Sequence, residues 1–288
     1  MNLTFSSLLL HDLYSRSPIF QIPTQYLNKQ TFQLKHSYFS KSFASISYSS
    51  SPVLFSAHLS EFKHILSSAL FFDNKNYSNE LLNSRRFTFI IEPVSISFCI
   101  FRLCFGGNQN LASDQCNINT NEVFKGGAIF CLTNLSLTQC LFEHNSACRG
   151  GSVYCTGQLS ITSVTFDGGI SYEGQGFVNE NCPSMALTTE LVTFVNLEAE
   201  KHSCFIRSSP GNIVISASNF STCFAQKDNA GFTLYDSPNV IIKISVIFEL
   251  SSFTDTSIVM KRCGNTDIAY NLFWYLKSHP IASYGSTC

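Results

Sequence analysis

Three carboxylates stand where a reaction would need them. Glu143, Asp167 and Glu249 each directly follow a phenylalanine, and His144 stands beside Glu143. If the phenylalanines are equivalent members of a repeat, Glu143 and Asp167 become neighbours on one outer face. Two such carboxyls can divide general-acid and general-base duties, as in polysaccharide cleavage. The plainer reading is a solvated turn after a strand, and Val195 and Ser221 favour it by breaking the acidic ladder at the same place. A carbohydrate-active lyase or hydrolase using Glu143 and Asp167 is therefore the second reading. It would gain ground if three or more ionisable side chains converged in an outer groove.

Other chemistry finds little support. The 7 histidines show no metal spacing. No nucleophile elbow, P-loop or dinucleotide fingerprint occurs, so no cofactor is expected. All 12 cysteines lie from Cys99 onward without a C-x-x-C pair, and Cys99/Cys104, Cys131/Cys140 and Cys148/Cys155 have the wrong intervals for zinc. Their even number favours core packing or disulfides in an oxidising compartment. Net charge is -1 and basic residues are scattered, which argues against a nucleic-acid partner. No apolar run reaches the 18 residues of a transmembrane helix. The opening Met1 to Leu10 lacks the basic start and cleavage site of a secretory signal.

The elements that would position these residues come from a repeat. An eight-residue phrase closing in Phe stands at Val94 to Phe101, Leu135 to Phe142 and Leu159 to Phe166, with looser copies ending at Phe194, Phe220 and Phe248. The intervals from Phe142 to Phe248 are 24, 28, 26 and 28 residues. A second phrase keeps step: Gly126-Gly127-Ala128-Ile129-Phe130-Cys131 is answered by Gly150-Gly151-Ser152-Val153-Tyr154-Cys155. Both glycine pairs introduce a strand signal, so they read as tight corners or close backbone approaches and not as phosphate cradles. In the first phrase apolar residues fall at the first, third, sixth and eighth places. The slip after the third marks a bend between two short strands.

A period of 24 to 28 suits a right-handed parallel β-helix with one turn per coil, and like residues stack on like. Cys131 and Cys155 then come close enough for a disulfide, with stacked thiols as the alternative. Cys99 and Cys140 are equivalent too, but their interval holds either an extra coil or a loop around Leu111 to Asn121. The expected organisation is a tail or degenerate start over 1–31, coils or a cap over 32–93, the β-helix over 94–262 and an irregular cap over 263–288. Leu59 to Phe72 reads equally as a capping helix and as a further coil.

Gly-Gly-Ala-Ile at Gly126 to Ile129 and Phe-x-x-Asn at Phe142 to Asn145 are the paired tetrapeptides that the chlamydial polymorphic outer-membrane proteins carry. The chain resembles those repeats and the related β-helix surface proteins of trichomonad protozoa, best over residues 94 to 166. The resemblance implies a secreted or membrane-associated, adhesin-like protein at the cell surface, with no catalytic residue carried over. N-x-S/T sequons at Asn2, Asn76, Asn134 and Asn219 are compatible with a glycosylated exterior. The expected function is non-catalytic binding of a protein or glycan on a regular face. A third reading is a truncated, non-functional family member.

Overall fold

The computed structural model describes residues 2–10, 20–22, 30–42, 47–49, 53–58, 60–65, 70–72, 94–102, 104–106, 125–131, 134–180, 186–201, 204–208, 211–227, 230–243, 245–248, 250–252, 256–269, 271–274 and 279–284. These form an all-β, parallel solenoid. A complete coil carries four strands, such as Leu135–Thr138, Leu141–Glu143, Ser146–Arg149 and Val153–Cys155, before the next coil opens at Leu159. Stacking the coils makes four parallel sheets. Three have ten strands and the third in coil order has six.

The bend inside the repeated phrase has a definite geometry. Its fifth residue is left-handed in every described copy from Val94 to Ser218: Phe98 (φ 54), Gln139 (51), Ser163 (55), Leu191 (54) and Ala217 (48). That residue turns the chain, so the third and sixth places both face inward. The sixth residue often satisfies the corner by donating to the carbonyl two residues back. Cys99 and Cys140 do this through S–H at 3.3 Å each, and Ser218 and Ser245 through O–H at 2.9 and 3.3 Å. Cysteine and serine are thus alternative corner residues. Cysteine combines a weak donor with the apolar surface a core wants.

The core is two aromatic columns. Phe101, Phe142, Phe166, Phe194 and Phe220 stack with centroids 4.9 to 5.2 Å apart. Phe177, Phe205 and Phe232 form a second column at 4.5 and 4.7 Å, tilted against the first. Offset ring stacking adds to the burial of each side chain. Every one of these rings is at most 1% exposed.

Two expectations are corrected. Phe248 does not continue the first column: Phe220 pairs with Ile247, and Phe248 pairs with Ser221. The run Val240-Ile241-Ile242 is apolar throughout and cannot specify which set faces in. A phrase starting at Ile241 would bury Lys243; starting at Val240 sends Lys243 outward to an ion pair with Asp267 at 2.6 Å. The stretch from Leu59 to Phe72 holds no helix among its described residues. It contains strands Glu61–Ile65 and Leu70–Phe72, with Phe62 in ladder register between Phe39 and Phe101. Its alternation had a period of two that the helical reading passed over.

The solenoid also extends beyond the expected limits. Strands Asn2–Ser6, Leu9–Leu10 and Phe20–Ile22 lie in the presumed tail, and Asn265–Ala269, Leu272–Trp274 and His279–Tyr284 in the presumed cap. Both sets pair in register with their neighbouring coils. Val94–Ser97 pairs directly with Leu135–Thr138, so no extra coil separates Cys99 from Cys140. The expected loop at Leu111 to Asn121 lies outside the described residues.

Candidate functional site

The glycine pairs and the asparagine of the two motifs have structural roles. Gly126 and Gly150 are left-handed (φ 65 and 62), and a Cβ on either would stand 2.1 to 2.2 Å from a backbone carbonyl oxygen. Gly127 and Gly151 are needed for close approach. A Cβ on Gly127 would lie 2.1 Å from the Gly151 oxygen, and one on Gly151 would lie 1.9 Å from the buried Gln175 amide. Asn145, the last residue of Phe-x-x-Asn, is fully buried and clamps its corner to the preceding coil. Its Nδ2 donates to the Phe101 carbonyl at 3.1 Å and its Oδ1 accepts from the Cys104 amide at 2.9 Å.

Glu143 and Asp167 are neighbours, as the repeat requires. Each already has a partner: Glu143 is ion-paired with Arg102, and Asp167 accepts from Asn196 Nδ2 at 3.1 Å. His144 occupies a left-handed corner with its ring over Gly168. Glu249 lies outside the described residues, as does the sequon at Asn76. Cys131 and Cys155 are Cα partners and both carry thiols, Cys155 donating to the Gly157 carbonyl at 3.6 Å. Cys148 is disulfide-bonded.

A larger ionic cluster sits at the corner between the third and fourth sheets. Arg149 clasps Glu180 with both terminal nitrogens, at 2.8 and 2.7 Å, and reaches Glu173 through Nε at 2.9 Å. Tyr154 donates to Glu180, Lys125 donates to Tyr154 at 3.2 Å, and Lys201 reaches Glu173 at 3.2 Å. Burial pulls the Arg149 pKa down, but Glu180 and then Glu173 outweigh it, and the net shift is upward. Burial and then the Glu180 carboxylate push the Tyr154 hydroxyl well above its usual range. Three cations face two carboxylates here, all of them mutually engaged and with Arg149, Glu173 and Glu180 only 10 to 14% exposed. The convergence of ionisable groups that would favour an enzyme is therefore present, but as a closed clamp across coils. The sequence held its signal: Lys125, Arg149 and Glu173 each stand just before a left-handed glycine. Among the described residues no group of three or more metal-binding side chains occurs.

The outer face of the first sheet is different. Ser95 and Ser97, Ser136 and Thr138, Ser160 and Thr162, and Thr188 line it in two rows, register partner against register partner. No ionisable side chain interrupts the rows until Glu190. Neighbours along a row are ~4.8 Å apart, and the rows are separated by about 6.6 Å. Toward the C-terminal coils the same face leads into a shallow groove of about 410 Å³ lined by Asn212, Val214, Asn239, Ile241, Asn265 and Asp267. Its asparagines form a ladder, Asn239 donating to Asn212 at 2.8 Å and Asn265 to Asn239 at 3.4 Å.

The fold and this surface define a parallel β-solenoid whose first sheet presents hydroxyl rows that stay uncharged from the Val94 coil to the Leu159 coil. No protein-family model matches the chain, and neither a curated protein nor a solved structure shows significant similarity to it.

Proposed function

We propose that the chain is a non-catalytic binding protein of the cell surface or extracellular space, which docks a neutral glycan along the outer face of its first sheet. The observation that carries this reading is the pair of hydroxyl rows on the first sheet, Ser95 to Thr188 over four coils and Ser97 to Thr162 over three, with no ionisable side chain before Glu190. A face of that kind offers repeated donors and acceptors at fixed spacing to a partner that carries many hydroxyls and no charge. The engagement of Glu143 by Arg102 and of Asp167 by Asn196 supports the non-catalytic reading. The likeness of Gly126 to Ile129 and of Phe142 to Asn145 to the repeats of adhesin-like surface proteins supports the location, as does the bridged Cys148.

The test is a glycan array probed with the purified chain and with a Ser136→Arg, Ser160→Arg variant. The reading expects retention of one or more neutral glycans by the parent and at least a tenfold loss in the variant. Arginine at Thr193, on the outer face of the second sheet, should leave binding unchanged. Equal binding by both variants would remove the first sheet from the account.

A further inference from the structure

We propose that Cys99 and Cys140 are a thiol pair placed to close as a disulfide between two consecutive coils. Their phrases are in direct ladder register, Val94 with Leu135 through Ser97 with Thr138. Equivalent Cα atoms on adjacent parallel strands stand ~4.8 Å apart, inside the window a disulfide needs. Both are buried, Cys99 at 0% and Cys140 at 3% exposure, and the Cys140 sulfur lies 3.6 Å from the Ile96 carbonyl oxygen of the coil that holds Cys99. The ladder offers neither thiol another sulfur: Ser60 precedes Cys99 and Val164 follows Cys140 at the same corner.

The bridge closes by thiol–disulfide exchange, in which either cysteine can attack as its thiolate, Cys140 taken first. With a low-molecular-weight disulfide such as oxidised glutathione as oxidant, Cys140 attacks one sulfur and releases one thiol. Cys99 gives up its proton, attacks the Cys140 sulfur of the mixed disulfide and releases the second thiol. Two cysteine thiols are oxidised by two electrons, and one disulfide is reduced to two thiols. Local opening of the corner admits the oxidant. The closed bridge would bind the coil of Val94–Ser97 to that of Leu135–Thr138 and enclose the chain that runs between them.

The experiment incubates the full chain in a glutathione redox buffer, quenches it with acid, alkylates remaining thiols in guanidinium and maps the unreduced digest by mass spectrometry. The expected product is a Cys99–Cys140 linked peptide, lighter by two hydrogens than the two thiol peptides together. A Cys140→Ser variant should fold, because Ser218 and Ser245 serve the same corner, and should lack that peptide. Oxidation should raise the denaturation midpoint of the parent and leave that of Cys140→Ser unmoved. Recovery of both residues as alkylated thiols under a poise that keeps Cys148 bridged overturns the proposal. So does linkage of either one to a different cysteine.

Discussion

Replacing Asn145 with alanine removes the clamp between two coils while leaving every aromatic ring in place. The side chain makes two buried hydrogen bonds, to the Phe101 carbonyl and from the Cys104 amide. Each contributes about 1 kcal/mol net, and a buried amide deprived of its acceptor costs about 1 to 3 kcal/mol more. The expected destabilisation is about 3 to 5 kcal/mol. In a solenoid that loss falls on the interface between neighbouring coils, so it should be local. Native-state hydrogen exchange reads it directly: the Cys104 amide should exchange about two orders of magnitude faster, while amides around Val240 stay unchanged. Asn145→Asp gives the sign of the charge effect. It keeps the acceptor for Cys104 but turns a carboxylate toward the Phe101 carbonyl in a buried site, so its folded pKa should rise. Its stability is then fullest below the unfolded carboxyl pKa and is lost as pH rises through the folded value. Unchanged Cys104 exchange in Asn145→Ala, or an Asp variant more stable at pH 7 than at pH 4, would refute the clamp.

Thr189 is a removable defect of the core, fully buried with its hydroxyl unpartnered, between Ile161 and Ile215 in the ladder. Thr189→Val should stabilise the protein by about 1 kcal/mol in urea denaturation. Gly127→Ala should destabilise it by more than 2 kcal/mol, roughly the cost of forcing a clash on a packed interior, because the backbone carbonyls of Gly151 and Ser146 fill the space. Tyr154 keeps its proton in the folded state beyond the usual value of 10. Its contribution is therefore complete below pH 10 and declines as pH rises above it, so Tyr154→Phe should flatten the alkaline limb of a stability profile.

Much of the solenoid was readable in the residues, and the failures have physical causes. The copies at Val94, Leu135 and Leu159 spell out inward and outward places unambiguously, because serine and threonine alternate with leucine and isoleucine. They also placed Glu143 beside Asp167 and Cys131 beside Cys155. Register failed at Val240 to Phe248, where apolar residues occupy both faces and only the charge of Lys243 decides. The corner rule was hidden because left-handed backbone is held here by Phe98, Gln139, Ser163, Leu191 and Ala217, not by glycine or asparagine. Lys125, Arg149 and Glu173 share the coil position before a glycine, but Glu180 and Tyr154, which close the clamp, stand at other positions that no spacing ties to it. The hydroxyl rows stood in the sequence throughout. Only the four-strand coil shows that they lie on one flat, outward face.

The central claim is that this face, and no other, meets the partner. The decisive measurement is the affinity of the parent and the Ser136→Arg, Ser160→Arg variant for a glycan retained on the array, by calorimetry, after circular dichroism shows that both are folded. The account predicts at least a tenfold weaker Kd in the variant and none for arginine at Thr193. Equal affinity in parent and variant would contradict it.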